Sequence, residues 1–141
     1  MKRIRIRLLL AALLIVGGLV TPLAAESPEE QATEAAQQWL ELVDQGQYAE
    51  SWATAAELFR GAISKEDWVK SLAGARTPLG EVKSREVSSR QHATSLPGAP
   101  DGEYVVIQYR TVFTAKSSAV ETVTPMKDPD GRWRVSGYYI R

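Results

Sequence analysis

Cysteine and asparagine are both absent from the 141-residue chain, and histidine occurs once, at His92. Without cysteine there is no disulfide framework and no thiolate ligand, so a zinc site of the His/Cys kind is excluded. Without asparagine there is no N-glycosylation acceptor. For a metal this leaves only clustered carboxylates. The nearest approach is Asp128-Pro129-Asp130-Gly131. Its glycine comes two residues too early for an EF-hand loop, and Tyr139 stands where the twelfth-position Glu is needed. No Gly-x-Ser-x-Gly elbow marks an activated serine. His92 lies beside Gln91 in a polar run and reads as a solvated side chain. No metal, no cofactor and no catalytic residue is assigned.

The N-terminus carries Lys2, Arg3, Arg5 and Arg7, then an apolar run from Leu8 to Val20, then Thr21-Pro22 and the small pair Ala24-Ala25. This is the layout of a secretory signal peptide, with cleavage expected after Ala25. The alternative is an uncleaved membrane anchor. The apolar run is shorter than the ~20 residues a spanning helix needs, which favours cleavage. The expected mature product is one domain over residues 26–141, periplasmic or secreted, held together by packing rather than by disulfides.

Lysine plus arginine and aspartate plus glutamate both number 17, so the whole chain is formally neutral. Four of the basic residues precede Glu26, leaving 13 against 17 and a net charge of −4 on residues 26–141. From Glu26 to Phe59 there are eight acids and no Lys or Arg. Such a balance gives no support to nucleic-acid binding. It fits a solvated helix face, or a patch for a basic partner.

The first half has helical periodicity. Ser27-Pro28-Glu29-Glu30 is a start signal, with Ser27 as N-cap, Pro28 at the first helical position and Glu30 closing a capping box. Ala32, Ala35, Ala36, Trp39, Leu40 and Val43 then form one apolar stripe. A second helix is expected through Tyr48, Trp52, Ala55, Ala56 and Phe59, stopping at Gly61. A third begins at Ser64 and ends before Thr77-Pro78. The second half has period two. Leu79 to Thr94 is a polar strand candidate, Glu103 to Lys116 a strongly apolar one, and Ala119 to Lys127 and Arg132 to Arg141 complete the set. In the second strand Val105, Ile107, Tyr109, Thr111 and Phe113 share a face. Apolar residues on the other face as well mark it as central. In the last strand Trp133, Val135, Gly137 and Tyr139 share one face, and Tyr138 and Ile140 the other.

Between the first two strands lies Ser95 to Gly102, with two Pro and two Gly from Pro97 onward. A phosphate cradle feeds a helix N-terminus, where amides converge. This segment feeds a strand, and Pro97 and Pro100 lack amide donors. It reads as a hairpin connection, long enough to overhang the sheet as a flap.

Helices first and strands afterwards give an α+β domain: three N-terminal helices packed on a curved, about four-stranded antiparallel sheet. That order resembles the nuclear-transport-factor-two-like (SnoaL-like, cystatin-like) superfamily, in which a cone-like sheet wraps helices around a pocket. A closer resemblance is carried by "WLELVDQGQYAESW" (39–52), "RTPLGEVKSR" (76–85), "LPGAPDGEYVVIQYRTVF" (96–113), "ETVT" (121–124) and "DGRWRVSGYYI" (130–140). On these the chain is similar to the bacterial domain-of-unknown-function family 4019. That resemblance implies an exported bacterial protein and supplies no catalytic residues.

The fold resemblance implies acid–base chemistry by a carboxylate with Tyr or His in an apolar cavity, as in ketosteroid isomerase and scytalone dehydratase. The matching residue types are Glu121, Asp44, Tyr109, Tyr138 and Tyr139. Glu121 stands between Val120 and Val123 in a strand, where it either enters the cone or pairs with Arg85 or Arg110 across strands. Asp44, just before Gly46, reads as local turn chemistry. A ligand pocket, if the cone is hollow, would be lined by Trp52, Arg76, Arg85, Tyr109, Phe113, Glu121, Trp133 and Tyr139. Three functions are open at this point. The first is a non-enzymatic binding or interaction module of the cell envelope, taking a small ligand or a protein, with a homodimer through the outer sheet face. The second is a small pocket lyase or isomerase. The third is a structural envelope protein with a filled cone.

Overall fold

The computed structural model describes residues 19–141. The expected leader, residues 1–25, lies for the most part outside the described residues. Leu19, Val20 and Leu23 are almost fully exposed and belong to no element.

The helices come first: α1 (Pro28–Asp44), α2 (Tyr48–Ala53), α3 (Glu57–Ala62) and α4 (Lys65–Arg76), followed by a single 3-10 turn at Thr77–Leu79. The strands β1 (Val82–Ala93), β2 (Tyr104–Phe113), β3 (Lys116–Lys127) and β4 (Trp133–Ile140) form one antiparallel sheet in sequence order. The α+β class stands as expected, with β2 an inner strand. The capping signals also stand. Glu30 N–H donates to Ser27 Oγ at 3.2 Å, Ser27 N–H donates to Glu30 Oε2 at 2.8 Å, and Asp67 N–H donates to Ser64 Oγ at 3.1 Å. Each such cap contributes about 1 kcal/mol.

One helix count is corrected. The expected second helix is two, because the chain is extended at Ala56, φ −60° and ψ 152°. There the Ala56 amide leaves the helical ladder and donates to the Val135 carbonyl of β4 at 2.9 Å. A tertiary hydrogen bond overrides a helical propensity that two alanines alone would have carried.

The core lies between α1 and the sheet. Ala32, Ala36, Trp39, Leu40 and Val43 of α1 meet Val105, Ile107 and Tyr109 of β2, Val123 of β3 and Val135 of β4. Trp68 and Leu72 close it from α4. Helix α1 touches all four strands. Register shifts in the pairings of every strand bend the sheet around it. Ser51, with no exposed surface, ties two indoles together: its carbonyl accepts from Trp39 Nε1 at 2.8 Å and its hydroxyl from Trp68 Nε1 at 3.0 Å.

The bulge in β4 has the largest consequence. Thr124 pairs with Gly137 and Pro125 with Val135, so Ser136 is the extra residue. Pro125, which lacks an amide donor, sits opposite the irregularity, where proline is tolerated. One extra residue flips the side-chain phase beyond it. Trp133 and Val135 face inward as expected, but from there the faces are exchanged. Tyr138 packs edge-on against Trp39 with ring centroids 5.2 Å apart, and Tyr139 is 54% exposed. The expected inward Tyr139 is therefore corrected.

The Pro/Gly segment is pinned rather than loose. Gly102 N–H donates to the Thr94 carbonyl at 3.0 Å, and the Tyr104 hydroxyl reaches back to the Pro100 carbonyl at 2.6 Å. Tyr104 is 1% exposed although its side chain points to the outer face, because this segment covers it. The segment is anchored at its ends, while Pro97, Gly98 and Pro100 remain exposed.

Gly80 links the 3-10 turn to β1 with φ +75°, and a Cβ built there would run into the side chain of Thr114. Thr114 Oγ1 is itself held, accepting from Glu81 N–H at 3.1 Å. Gly80→Ala is expected to cost about 2 kcal/mol or more through combined strain and collision. A urea titration showing no fall in midpoint would count against this reading.

Candidate functional site

The inward row of β2 and β3 places polar groups in the middle of the core. Tyr109 pairs with Glu121, and Thr111 sits one step along the same face. Arg85 of β1 pairs with Thr111, so its side chain extends over Thr111 toward Glu121. From the helical side, Arg76 follows Trp68 and Leu72 at fourfold spacing on α4. Asp44 follows Ala36 and Leu40 on α1 in the same way. Helical periodicity thus aims one charged residue at the end of each apolar stripe into the same space.

Glu121 has no exposed surface. Its Oε1 accepts from Arg85 Nε at 2.7 Å and from Thr111 Oγ1 at 2.5 Å. Its Oε2 accepts from Arg85 Nη2 at 3.2 Å and from the Tyr138 hydroxyl through a short hydrogen bond. Arg85 turns its remaining edge to Asp44, with Nη1 to Oδ2 at 2.7 Å and Nη2 to Oδ1 at 3.0 Å. Arg76 Nη2 donates to the same Asp44 Oδ1 at 2.8 Å. The planar guanidinium of Arg85 is thus a fork between two carboxylates, a geometry lysine cannot supply. Two cations and two anions make the cluster neutral.

The electrostatics follow from this closure. Burial pushes the Asp44 carboxyl up, but hydrogen bonds and charge from Arg85 and Arg76 outweigh it and hold it below the usual carboxylate range. Burial pulls the Arg85 guanidinium down, and hydrogen bonds from Asp44 and Glu121 reverse this and raise it. Burial, then the charge and hydrogen bond of Glu121, pushes the Tyr138 hydroxyl up. Burial pushes the Tyr109 hydroxyl up to about 12. Tyr109 Oη is buried and has no hydrogen-bond partner, as are Arg76 Nε and Nη1. The Arg76 guanidinium carbon stands 5.0 Å from the centroid of the Phe113 ring, a cation–π contact that offsets part of its desolvation.

Because the folded Asp44 carboxyl lies below its unfolded value, its contribution to stability is present above the ordinary carboxylate range. It is lost as pH falls through the lowered folded value, so the loss begins below about pH 4. Asp44→Asn is expected to flatten the acid limb of stability against pH. Urea midpoints across that range, with superimposable slopes for wild type and variant, would contradict the assignment.

Of the residues expected to line a pocket, Arg76, Arg85, Tyr109, Phe113 and Glu121 come together here. Trp52 stands apart between α2 and α3, its Nε1 donating to the Ile63 carbonyl at 2.8 Å. Trp133 lies at the far end of the sheet, its Nε1 donating to Gln31 Oε1 of α1 at 3.2 Å. Tyr139 is on the outer face. Glu121 does pair with an arginine across strands: Arg85 is the partner, and the pair is part-buried, with only the Glu121 end fully enclosed. Arg110 is on the outer face, paired with Glu86 at 3.1 Å. Asp44 and Tyr138 are members the pocket set lacked. Asp44 is no local turn residue: its partners are 32 and 41 positions away. Among the described residues no group of three or more His, Asp or Glu is placed to hold a metal.

A family model describing a protein of unknown function, DUF4019, matches residues 35–138. The chain belongs to the DUF4019 family. In this DUF4019 domain the match runs from α1 to β4 and takes in Asp44, Arg76, Arg85, Glu121 and Tyr138. Comparison with curated proteins returns no match.

The cluster can hold helices to sheet. A general base needs a lone pair free to meet a substrate proton. A carboxylate offers about four acceptor positions, and Glu121 receives four donors.

Proposed function

We propose that this DUF4019 protein is exported and works without catalysis, as a binding or interaction module of the cell envelope. The leader-like N-terminus supports export. What supports a non-catalytic role over a pocket lyase or isomerase is the saturation of Glu121. Its two oxygens are filled by Arg85, Thr111 and Tyr138, and it has no exposed surface. Tyr109 keeps a free hydroxyl, but at 2% exposure it meets no solute, and its partner carboxylate is engaged. Recognition in this reading takes place on the outside of a packed domain. Native mass spectrometry of the mature protein purified from its own envelope tests it. The expected spectrum carries an added ligand mass, a stoichiometric partner or a second copy paired through the sheet. Bare monomer alone would overturn the reading.

A further inference from the structure

Two clefts share Ala35, Gln38, Arg132 and Trp133 and run together as one groove between α1 and the start of β4. Their volumes are about 390 and 280 Å³. Each alone is near the lower end of the ~300–1,000 Å³ that small-molecule sites occupy. Apolar lining comes from Ala35, Leu42 and Ala53, with the buried Val135 and Trp39 at its base, and Thr54 and Arg134 add polar groups. One wall is the half-buried ring of Trp133, fixed by its bond to Gln31. The rim is polar. Gln38 Nε2 donates to Glu34 Oε1 at 3.3 Å, and both side chains are exposed. Arg132 is exposed and forms no salt bridge among the described residues, whereas its neighbour Arg134 is held by Asp128 and Asp130.

On the reading of this chain as a binding module, we infer that the groove is a saccharide site. Each feature selects for that chemistry. The charged residues lining the groove are Glu34, Arg132 and Arg134, and Arg134 is held by Asp128 and Asp130, so no block of one sign faces a solute. Glu34, Gln31 and Gln38 supply acceptors, and Gln38 and Arg132 supply donors, the mixture that hydroxyl groups satisfy because each both donates and accepts. The rigid indole of Trp133 offers a flat apolar surface with its polar edge already satisfied, matching the C–H face of a pyranose ring. The half-open shape, extended along α1, fits a short oligosaccharide better than a single compact solute.

The four indole N–H groups provide the test, since each is hydrogen-bonded to a different acceptor: Ser51 O, Ile63 O, Ser51 Oγ and Gln31 Oε1. In ¹H–¹⁵N spectra of the mature protein, chitotriose, cellotriose and maltotriose are added to millimolar concentration. At least one is expected to shift the Trp133 indole resonance saturably and leave those of Trp39, Trp52 and Trp68 in place. Arg132→Ala, at an exposed position, is expected to weaken that binding about tenfold with no change in Tm. A Trp133 resonance unmoved by all three sugars overturns the inference, as does one moved by inorganic phosphate and by no sugar. If the sugars fail while native mass spectrometry still finds a bound mass or partner, the saccharide site falls and the binding module stands.

Discussion

Arg85→Ala is expected to destabilise the domain by about 3–5 kcal/mol, lowering Tm by roughly 12–20 °C. The arginine supplies two of the four hydrogen bonds to Glu121, which has no exposed surface, and two of the three to Asp44. Removing it leaves a carboxylate in the core with only the hydroxyls of Thr111 and Tyr138. Losing one member of such a pair is far more damaging than never having had the pair, because the enclosed carboxylate loses its hydrogen-bonded cation without regaining its full hydration. Glu121→Gln is milder, about 2 kcal/mol, since Gln keeps an acceptor and Arg85 keeps Asp44. Denaturant titration measures both. An Arg85→Ala variant within ~1 kcal/mol of wild type would show that the network contributes little to stability.

Two adjacent tyrosines give the second large effect. Tyr138→Ala removes a ring packed against Trp39 and the hydroxyl bonded to Glu121 Oε2, and should cost about 3–4 kcal/mol. Tyr139→Ala, at a side chain 54% exposed, should fall within about 0.5 kcal/mol of wild type. The alternation read from Trp133 onward without the bulge would exchange the two outcomes. Comparable losses at both positions, or a larger loss at Tyr139, would mean that Ser136 is not the extra residue.

Much of the fold was legible because its determinants are local. Ser27 with Glu30 and Ser64 with Asp67 announce two helix starts through bonds three residues long. The alternation from Val105 to Phe113 identifies an inner strand without reference to its neighbours. Three features were not legible, and each depends on a distant partner. The break at Ala56 is made by the Val135 carbonyl and leaves no Gly or Pro as a marker. The bulge at Ser136 is visible only once β4 is registered against β3, with Pro125 its faint trace. Asp44 resembles a turn residue until α4 and β1 deliver Arg76 and Arg85 to it.

The candidate site divides in the same way. Strand phase was enough to put Tyr109 and Phe113 on one face with Val105 and Ile107, and it left Glu121 open between entering the cone and pairing across strands. It was not enough to distinguish a hollow cone from a filled one, since an unpaired Glu in a cavity and a four-donor Glu in a core have the same sequence neighbours. Tyr138 settles the difference locally, and its inward position comes from the bulge. One clue was present: Arg76 continues the Trp68–Leu72 stripe of α4, and a cation in an apolar stripe implies a buried anion opposite.

The most direct test of the interior as one closed structural unit is a double-mutant cycle between Arg85→Ala and Glu121→Gln. If the arginine's chief role is to neutralise Glu121, its loss matters much less once that charge is gone. The double variant should then fall short of the summed single losses by about 2 kcal/mol. Strict additivity would contradict the account, leaving Glu121 energetically independent of the arginine that holds it.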